Sequence, residues 1–364
     1  KTKKGDTDMK RTLENTNNLF DGQEFNIGLD VHKKNFKVNI RNNGRELKRF
    51  SMDPNPDELR RYMDKNYPGG KYNSVYEAGF CGFWIHRELV KAGINNIVIN
   101  PADVPTMHKE RKNKTDKVDS KKLARELENK SLEKIYIPTE EEEALRSISR
   151  LRFQIVKDQT RTKNRIISFL DSHGIKLPGN SEEKHWTKKY MQRIKEIRFS
   201  EENYNIYLNG LIEELEHQRS RNLEILHLIR KICNENEIIG YISTVPGIGI
   251  ITAFTLYAEL YNMARFKKLD ELASIVGLVP SVSESDETKH NLGLTIRFNK
   301  YLRTLLVEAS WQAIRKDPAL TASFNEYCKR MIKQKAIIRI AKKLLNRIRY
   351  VWINKKEYVI GVIE

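Results

Sequence analysis

The segment EFNIGLDVHKKNFKVNIRNNGRELKRF, residues 24–50, constrains the fold more than any other part of the chain. Ile27 to Val31 form an apolar run broken by Asp30. Phe36, Val38 and Ile40 then alternate with polar residues, the period of a half-buried strand. Asn42-Asn43-Gly44 is a hairpin signal, and Glu46 to Phe50 supply a third strand. The pattern then changes. A helix starts near Asp53 or Asn55 with Leu59 and Met63 on its inner face. YNSVYEAG is a fourth strand ending at Glu77, and FWIHRELVKAG is a helix closed by Gly93. NNIVIN is a fifth strand, ahead of another helix.

Three meandering strands followed by helix, strand, helix, strand, helix is the order of the RNase H-like fold, to which RuvC-type nucleases belong. That fold carries acids on its first strand, at the end of its fourth, and on a late helix. Here those places hold Asp30, Glu77 and the pair Asp116 and Asp119. A charge inside NIGLDV is costly to bury unless it is paired or metal-bound. Asp116 and Asp119 lie one turn apart on one helix face, within the basic stretch RKNKTDKVDSKKLA. Two carboxylates so placed need positive charge between them, from neighbouring lysines or from a divalent cation, which prefers carboxylate oxygens. Taken alone, Asp30 and Glu77 also read as solvent-facing strand ends, and the Asp116/Asp119 stretch reads first as a solvated helix of mixed charge. Four acids at four corresponding places favour a site.

Charge points the same way. The 364 residues hold 66 Lys/Arg against 48 Asp/Glu, a formal net charge of +18. Such a surplus suggests a polyanionic partner, nucleic acid or an anionic membrane surface. No apolar run approaches the ~18 residues of a spanning helix, and no signal peptide is recognisable, so nucleic acid is favoured. Cys81, Cys233 and Cys328 are far apart with no CxxC pair. This argues against a disulfide framework or a structural zinc and fits a reducing cytoplasm.

Residues 1–23 are polar and aperiodic, as expected of a disordered leader, with Met9 the expected start. Residues 24–135 form the α/β domain. Residues 141–240 are helical: Leu145, Ile148, Leu151, Ile155, Ile166 and Phe169 recur at helical spacing, as do Leu208, Leu211, Leu215, Leu226 and Ile229. These read as long amphipathic helices packed as a coiled coil or hairpin, with 171–203 a loop or insertion. Residues 241–353 form a mainly helical C-terminal domain, followed by a tail, 354–364. TVPGIGIITA resembles a helix-hairpin-helix, whose hairpin at Gly247 and Gly249 can hold a DNA phosphate; an αα-corner fits equally. A polar, serine-rich loop follows, then a basic stretch with Arg297, Lys300 and Arg303. From Cys328 to Lys356 there are 11 Lys/Arg and no acid, a surface suited to tracking phosphates.

Together GLDVHK, YEAG, NKTDKVDSKKLA, TVPGIGIITA, IVGLVPS and NKYLRTLLVEASWQAIRKDPAL resemble the DEDD transposases of the Piv/MooV type. These are insertion-sequence recombinases guided by a bridge RNA. The resemblance spans about Asn26 to Asn346. It implies a RuvC-like domain, a coiled-coil middle and a C-terminal transposase domain with a nucleophilic serine. It assigns the acidic tetrad to Asp30, Glu77, Asp116 and Asp119, holding two Mg²⁺ with Mn²⁺ as a substitute. It assigns the nucleophile to Ser285, with Ser283 and Ser281 as fallbacks, although Asp286 stands where the family has glycine. Lys112, Lys114 and Lys117 would hold the polyanion beside the acids. The implied partners are donor and target DNA, a structured guide RNA and further copies of the chain as a dimer or tetramer. The implied location is the bacterial or archaeal cytoplasm, at the nucleoid. The rival readings are a RuvC-like structure-specific endonuclease such as a junction resolvase, a site-specific invertase without an RNA guide, and a decayed, non-catalytic binding protein.

Overall fold

The computed structural model describes residues 20–104, 116–175, 186–285, 288–295 and 298–360. Its strands β1 (Glu24–Val31), β2 (Phe36–Asn42) and β3 (Arg45–Met52) form the antiparallel meander. Asn43 and Gly44 turn β2 into β3 at φ of 48° and 77°, the left-handed backbone that asparagine and glycine tolerate best. Helix α1 (Pro56–Asn66) begins at Asn55, whose side chain accepts from the backbone N–H groups of Asp57 and Glu58, donors that would otherwise lack partners. Strand β4 (Lys71–Glu77), helix α2 (Trp84–Lys91), strand β5 (Asn95–Ile99) and helix α3 (Asp116–Glu128) complete the order. β4 lies parallel to β1, and β5 parallel to β4. The five-stranded sheet therefore runs β3-β2-β1-β4-β5, consistent with an RNase H-like N-terminal domain.

Strand alternation sorts the side chains onto two faces. Phe25, Ile27 and Leu29 of β1 and Phe36, Val38 and Ile40 of β2 pack against Leu59 and Met63 of α1 and Ile85 and Leu89 of α2. On the opposite face Val75 and Ile99 pack with Leu123 of α3. The sheet is thus covered on both sides, with α3 on the second.

The chain divides into two compact units, Lys1–Ile137 and Pro138–Glu364. The second is mostly helical. Helix α4 (Glu140–Ser172) opens with a capping box between Thr139 and Glu142. With helix α6 (Glu202–Asn234) it forms an antiparallel hairpin: Ile166 and Leu170 share a core with Leu208, Leu211 and Leu215, and Gln159 Nε2 donates to the Gln218 carbonyl at 2.9 Å. The segment between them, expected to be a loop, contains helix α5 (Lys188–Glu196). Thr187 caps it, and Tyr190, Met191 and Ile194 bury one face in that same core. The helix is short, so its amphipathic period barely repeats in the sequence.

Helices α7 (Glu237–Ser243), α8 (Ile250–Leu260), α9 (Leu269–Val276), α10 (Lys300–Ala313), α11 (Pro318–Cys328) and α12 (Lys333–Asn354) surround the main core of this unit. The serine-rich stretch expected to be a loop is a hairpin instead, with β6 (Pro280–Ser285) antiparallel to β7 (Thr288–Leu294). Backbone pairing closes it, while too few apolar residues alternate there to announce strands. Inside the helical core, Glu259 of α8 accepts from Arg150 Nε and Nη2 at 2.7 and 2.8 Å and from Asn299 Nδ2 at 2.7 Å. A buried carboxylate needs such partners. They join α4, α8 and the N-cap of α10.

Candidate active site

Leu29 of β1 is level with Tyr76 of β4 in the parallel ladder, so Asp30 and Glu77 take the next positions on neighbouring strands. Both lie on the face covered by α3, because Asp30 is two residues beyond Gly28 and Glu77 two beyond Val75. The helix sits very close to β1. A Cβ placed on Gly28 would stand 2.0 Å from the Ser120 carbonyl oxygen and 2.5 Å from the Ala124 nitrogen. Glycine is therefore required at position 28, and Asp119, beside Ser120, is carried to the strand end. The other end of α3 is anchored by Glu128, which accepts from Arg41 Nε and from the Gly44 backbone N–H, each at 2.8 Å. Lys121 Nζ lies 3.2 Å from Glu46 Oε2. That pairing and Arg49 hold the Glu46 carboxyl below its ordinary range, against an opposing effect of burial that is the largest single influence.

Asp30, Glu77 and Asp119 line one cleft of about 150 Å³, walled by Leu29, Val31, Ala78, Gly79, Phe80, Cys81 and Leu123. His32 Nε2 donates to Asp30 Oδ2 at 3.1 Å. Asp116 opens α3, one turn before Asp119. Among the described residues no group of three or more His, Cys, Asp or Glu closes on a single point in the manner of a complete metal cage. The donor chemistry nonetheless fits a hard divalent cation: the acids offer carboxylate oxygens, and Mg²⁺ is held by one or two carboxylates while keeping several waters.

Ser285 ends β6 and pairs with Thr288, the first residue of β7. It therefore sits at a hairpin tip in the second unit, with Ser283 and Ser281 further back on the same strand. Lys112, Lys114, Arg297 and Asp286 lie outside the described residues. Lys117 follows Asp116 in the first turn of α3. Gly247, at φ 84°, packs tightly on α10: a Cβ there would meet the Ala309 carbonyl oxygen at 2.4 Å. Nothing stands within 4 Å of a Cβ on Gly249, the N-cap of α8. Lys300 is exposed, with its ammonium 5.3 Å from the Tyr301 ring centre. Arg303 turns inward, stacking on Phe298 and donating to the Thr295 carbonyl, and burial lowers its pKa.

Sequence reading passed over Gly28, which is significant only through the helix above it, and His32, whose spacing from Asp30 in GLDVH was the available signal. It also passed over Phe80, which lines the cleft, and Trp84, which lines the groove beside it.

Comparison with known proteins bears on the family of the chain. A DEDD transposase family model of IS110 type matches residues 27–175, and a model described as transposase, IS116/IS110/IS902 family, matches residues 240–325. The chain is 30% identical over 307 residues to y4rJ, a transposase homologue in Sinorhizobium fredii, covering 74% of each protein. It is 26% identical over 298 residues to the transposase for insertion sequence element IS1533 of Leptospira borgpetersenii, covering 79% of this chain and 84% of the relative. With the transposase for insertion sequence element IS1111A of Coxiella burnetii it shares 25% identity over 279 residues, 75% of this chain and 74% of the relative.

Proposed function

The chain belongs to the IS116/IS110/IS902 family of insertion-sequence transposases, and on that premise we propose that it cuts and rejoins DNA at the cleft of Asp30, Glu77 and Asp119, with Asp116 completing the set. The observation that carries this reading is the convergence of three acids, from β1, β4 and α3, on one cleft at the end of the sheet.

The four acids would hold divalent cations, two in the reading from family resemblance, Mg²⁺ or Mn²⁺. When bound, such ions polarise a phosphoryl oxygen and favour the deprotonated nucleophile. The protein's own part is to fix the carboxylates: the parallel register sets Asp30 beside Glu77, and the glycine-seated α3 sets Asp119 against them. The oxygen of Ser285 attacks phosphorus in line. A serine–phosphate ester forms, the bond to one strand end breaks, and that end leaves as a free hydroxyl after taking up a proton. The free energy of the broken phosphodiester stays in the ester, so the reverse attack by a hydroxyl can rejoin strands. Hydrolysis would lose it. RuvC-like chemistry, an RNA guide, a dimer or tetramer, and residence at the cytoplasmic nucleoid belong to the same proposal. The net charge of +18 supports nucleic-acid partners. No described helix is long and apolar enough to cross a membrane.

The test is a suicide DNA substrate carrying the element's ends, read on a denaturing gel with mass spectrometry of the adduct peptide. The wild type is expected to form a covalent adduct at Ser285, and Ser285→Ala to lose it while retaining DNA binding. Asp30→Asn, Glu77→Gln, Asp116→Asn and Asp119→Asn should each abolish strand cleavage and leave folding intact. An adduct that persists in Ser285→Ala moves the nucleophile to Ser283. Free 5′-phosphate ends without any adduct would replace this reading with a hydrolytic, resolvase-like nuclease. Metal-dependent cleavage kept by two of the four acid variants would remove the acidic site from the mechanism.

A further inference from the structure

Two aromatic side chains stand open to solvent beside the acidic cleft. Phe80 is 64% exposed and Trp84 46%. Neither belongs to the core beneath them, which takes Cys81, Phe83 and Ile85 from the same stretch. Their loop is held from below: the Tyr76 hydroxyl donates to the Gly82 carbonyl at 3.1 Å, and Gly82 turns the chain at φ 58°. Phe80 thus stands out from a braced loop.

Phe80 lines the cleft of Asp30, Glu77 and Asp119. It also lines an adjoining groove of about 300 Å³ whose walls include Trp84, Pro54, His32 and Lys33. Val31, Phe80 and Cys81 are common to both, so the groove opens directly beside the acids. Flat apolar walls next to an ammonium group suit a nucleobase followed by its phosphate. A base stacked on an aromatic side chain gains roughly 5- to 150-fold in affinity, whatever its identity. Paired bases within a duplex have no free face to offer, so the occupant must be unstacked. Chemistry on a strand drawn out of its duplex requires such an unstacked base nearby.

We propose that this groove receives one unpaired base of the DNA strand whose phosphate lies at the acids, with Phe80 and Trp84 as its stacking faces and Lys33 against the neighbouring phosphate. The inference rests on the proposed strand-cleaving function and adds to it the form of the substrate: locally single-stranded at the cleavage point.

The probe is a twelve-residue oligothymidylate with one thymidine at a time replaced by 5-iododeoxyuridine, photocrosslinked to the full-length protein and mapped by mass spectrometry. Crosslinks are expected at Phe80 or Trp84. Phe80→Ala and Trp84→Ala should each lower their yield at least ~5-fold, and Phe80→Tyr and Trp84→Phe, which keep a ring, should restore it. The salt dependence of binding should not change in the ring variants, because no phosphate contact is lost. Crosslinks found only elsewhere, or alanine variants that crosslink like the wild type, overturn the proposal. So does an unchanged crosslink yield combined with dissociation of a homo-oligomer, which would make the aromatic pair a subunit contact. Asp30→Asn is measured alongside for metal-dependent nicking. Loss of nicking in Asp30→Asn, with no crosslink at the aromatics in the wild type, removes the base-stacking inference alone; retained nicking removes the function on which it rests.

Discussion

Gly28→Ala is the smallest change that should separate the acids without touching any of them. The new methyl would lie 2.0 Å from the Ser120 carbonyl oxygen and 2.5 Å from the Ala124 nitrogen, both backbone atoms of α3. Heavy atoms attract best at about 3.5 Å, so the helix must back away from β1 by on the order of 1 Å or more. It is not free to pivot, since Glu128 ties its far end to Arg41 and Gly44. The end that yields is the first turn, which carries Asp116 and Asp119. Overpacking of this kind costs ~1–3 kcal/mol, a fall of roughly 5- to 150-fold in amide protection along α3. A displacement of ~1 Å at reacting groups costs about 10²-fold in rate. Hydrogen exchange followed by mass spectrometry reads the first quantity, and recombination of an element bearing its native flanking DNA reads the second. Gly210→Ala serves as the control. It adds a methyl on α6 with nothing within 4 Å and should leave both readouts unchanged. If Gly28→Ala keeps α3 protection within twofold of wild type and recombines normally, α3 is not seated on Gly28 and the account of how Asp119 reaches the strand end is wrong.

Three further perturbations follow from the same geometry. Glu259→Ala strips Arg150 and Asn299 of their shared acceptor. It should destabilise the helical unit by on the order of 2 kcal/mol, short of the ~3–5 kcal/mol of a fully buried pair because Arg150 keeps some access to water; urea unfolding measures it, and a loss under about 0.5 kcal/mol would refute it. Tyr358, whose hydroxyl donates to Asp317 Oδ2 at 2.6 Å, has its pKa pushed up to about 12, chiefly by burial. Its folded value lies above the unfolded ~10, so its contribution is intact below pH ~10 and is lost as pH rises through about 12. Thermal melts of Tyr358→Phe should therefore fall less steeply than wild type across that window, and parallel curves would count against the linkage. Finally, the purified protein should prefer its cognate structured RNA to an unrelated RNA of equal length, with both affinities falling steeply as salt rises. Equal affinity for both at near-physiological salt would favour an enzyme without a guide.

How much of this was readable beforehand depended on whether the deciding contact was local. The alternation of Phe36, Val38 and Ile40 is a property of a few consecutive residues, and the strand it implied is present as β2. The long helices α4 and α6 repeat their apolar period often enough to stand out. Helix α5 does not. In β6–β7 the pairing lies in backbone groups that every sequence carries, so a serine-rich hairpin reads as a loop. Gly28 is mute in the sequence, because what demands it is the carbonyl of Ser120, 92 positions further along the chain.

The two acids set in apolar surroundings show where reading a sequence ends and geometry takes over. Asp30 in NIGLDV and Glu259 in FTLYAEL pose the same question, since neither charge belongs in an apolar run without a partner. The structure answers them differently. Glu259 is enclosed within the helical unit, and a guanidinium and an amide that reach it from α4 and from the cap of α10 satisfy both its oxygens. Such a carboxylate has no access to a substrate, and its task is to join three helices. Asp30 stands at the end of a strand, lines an open cleft together with Glu77 and Asp119, and takes a histidine two residues on as a neighbour. Acids that share an opening repel one another unless positive charge offsets them. What distinguishes the two is enclosure: Glu259 is sealed among its partners inside the helical unit, and Asp30 lines a cleft open to solvent.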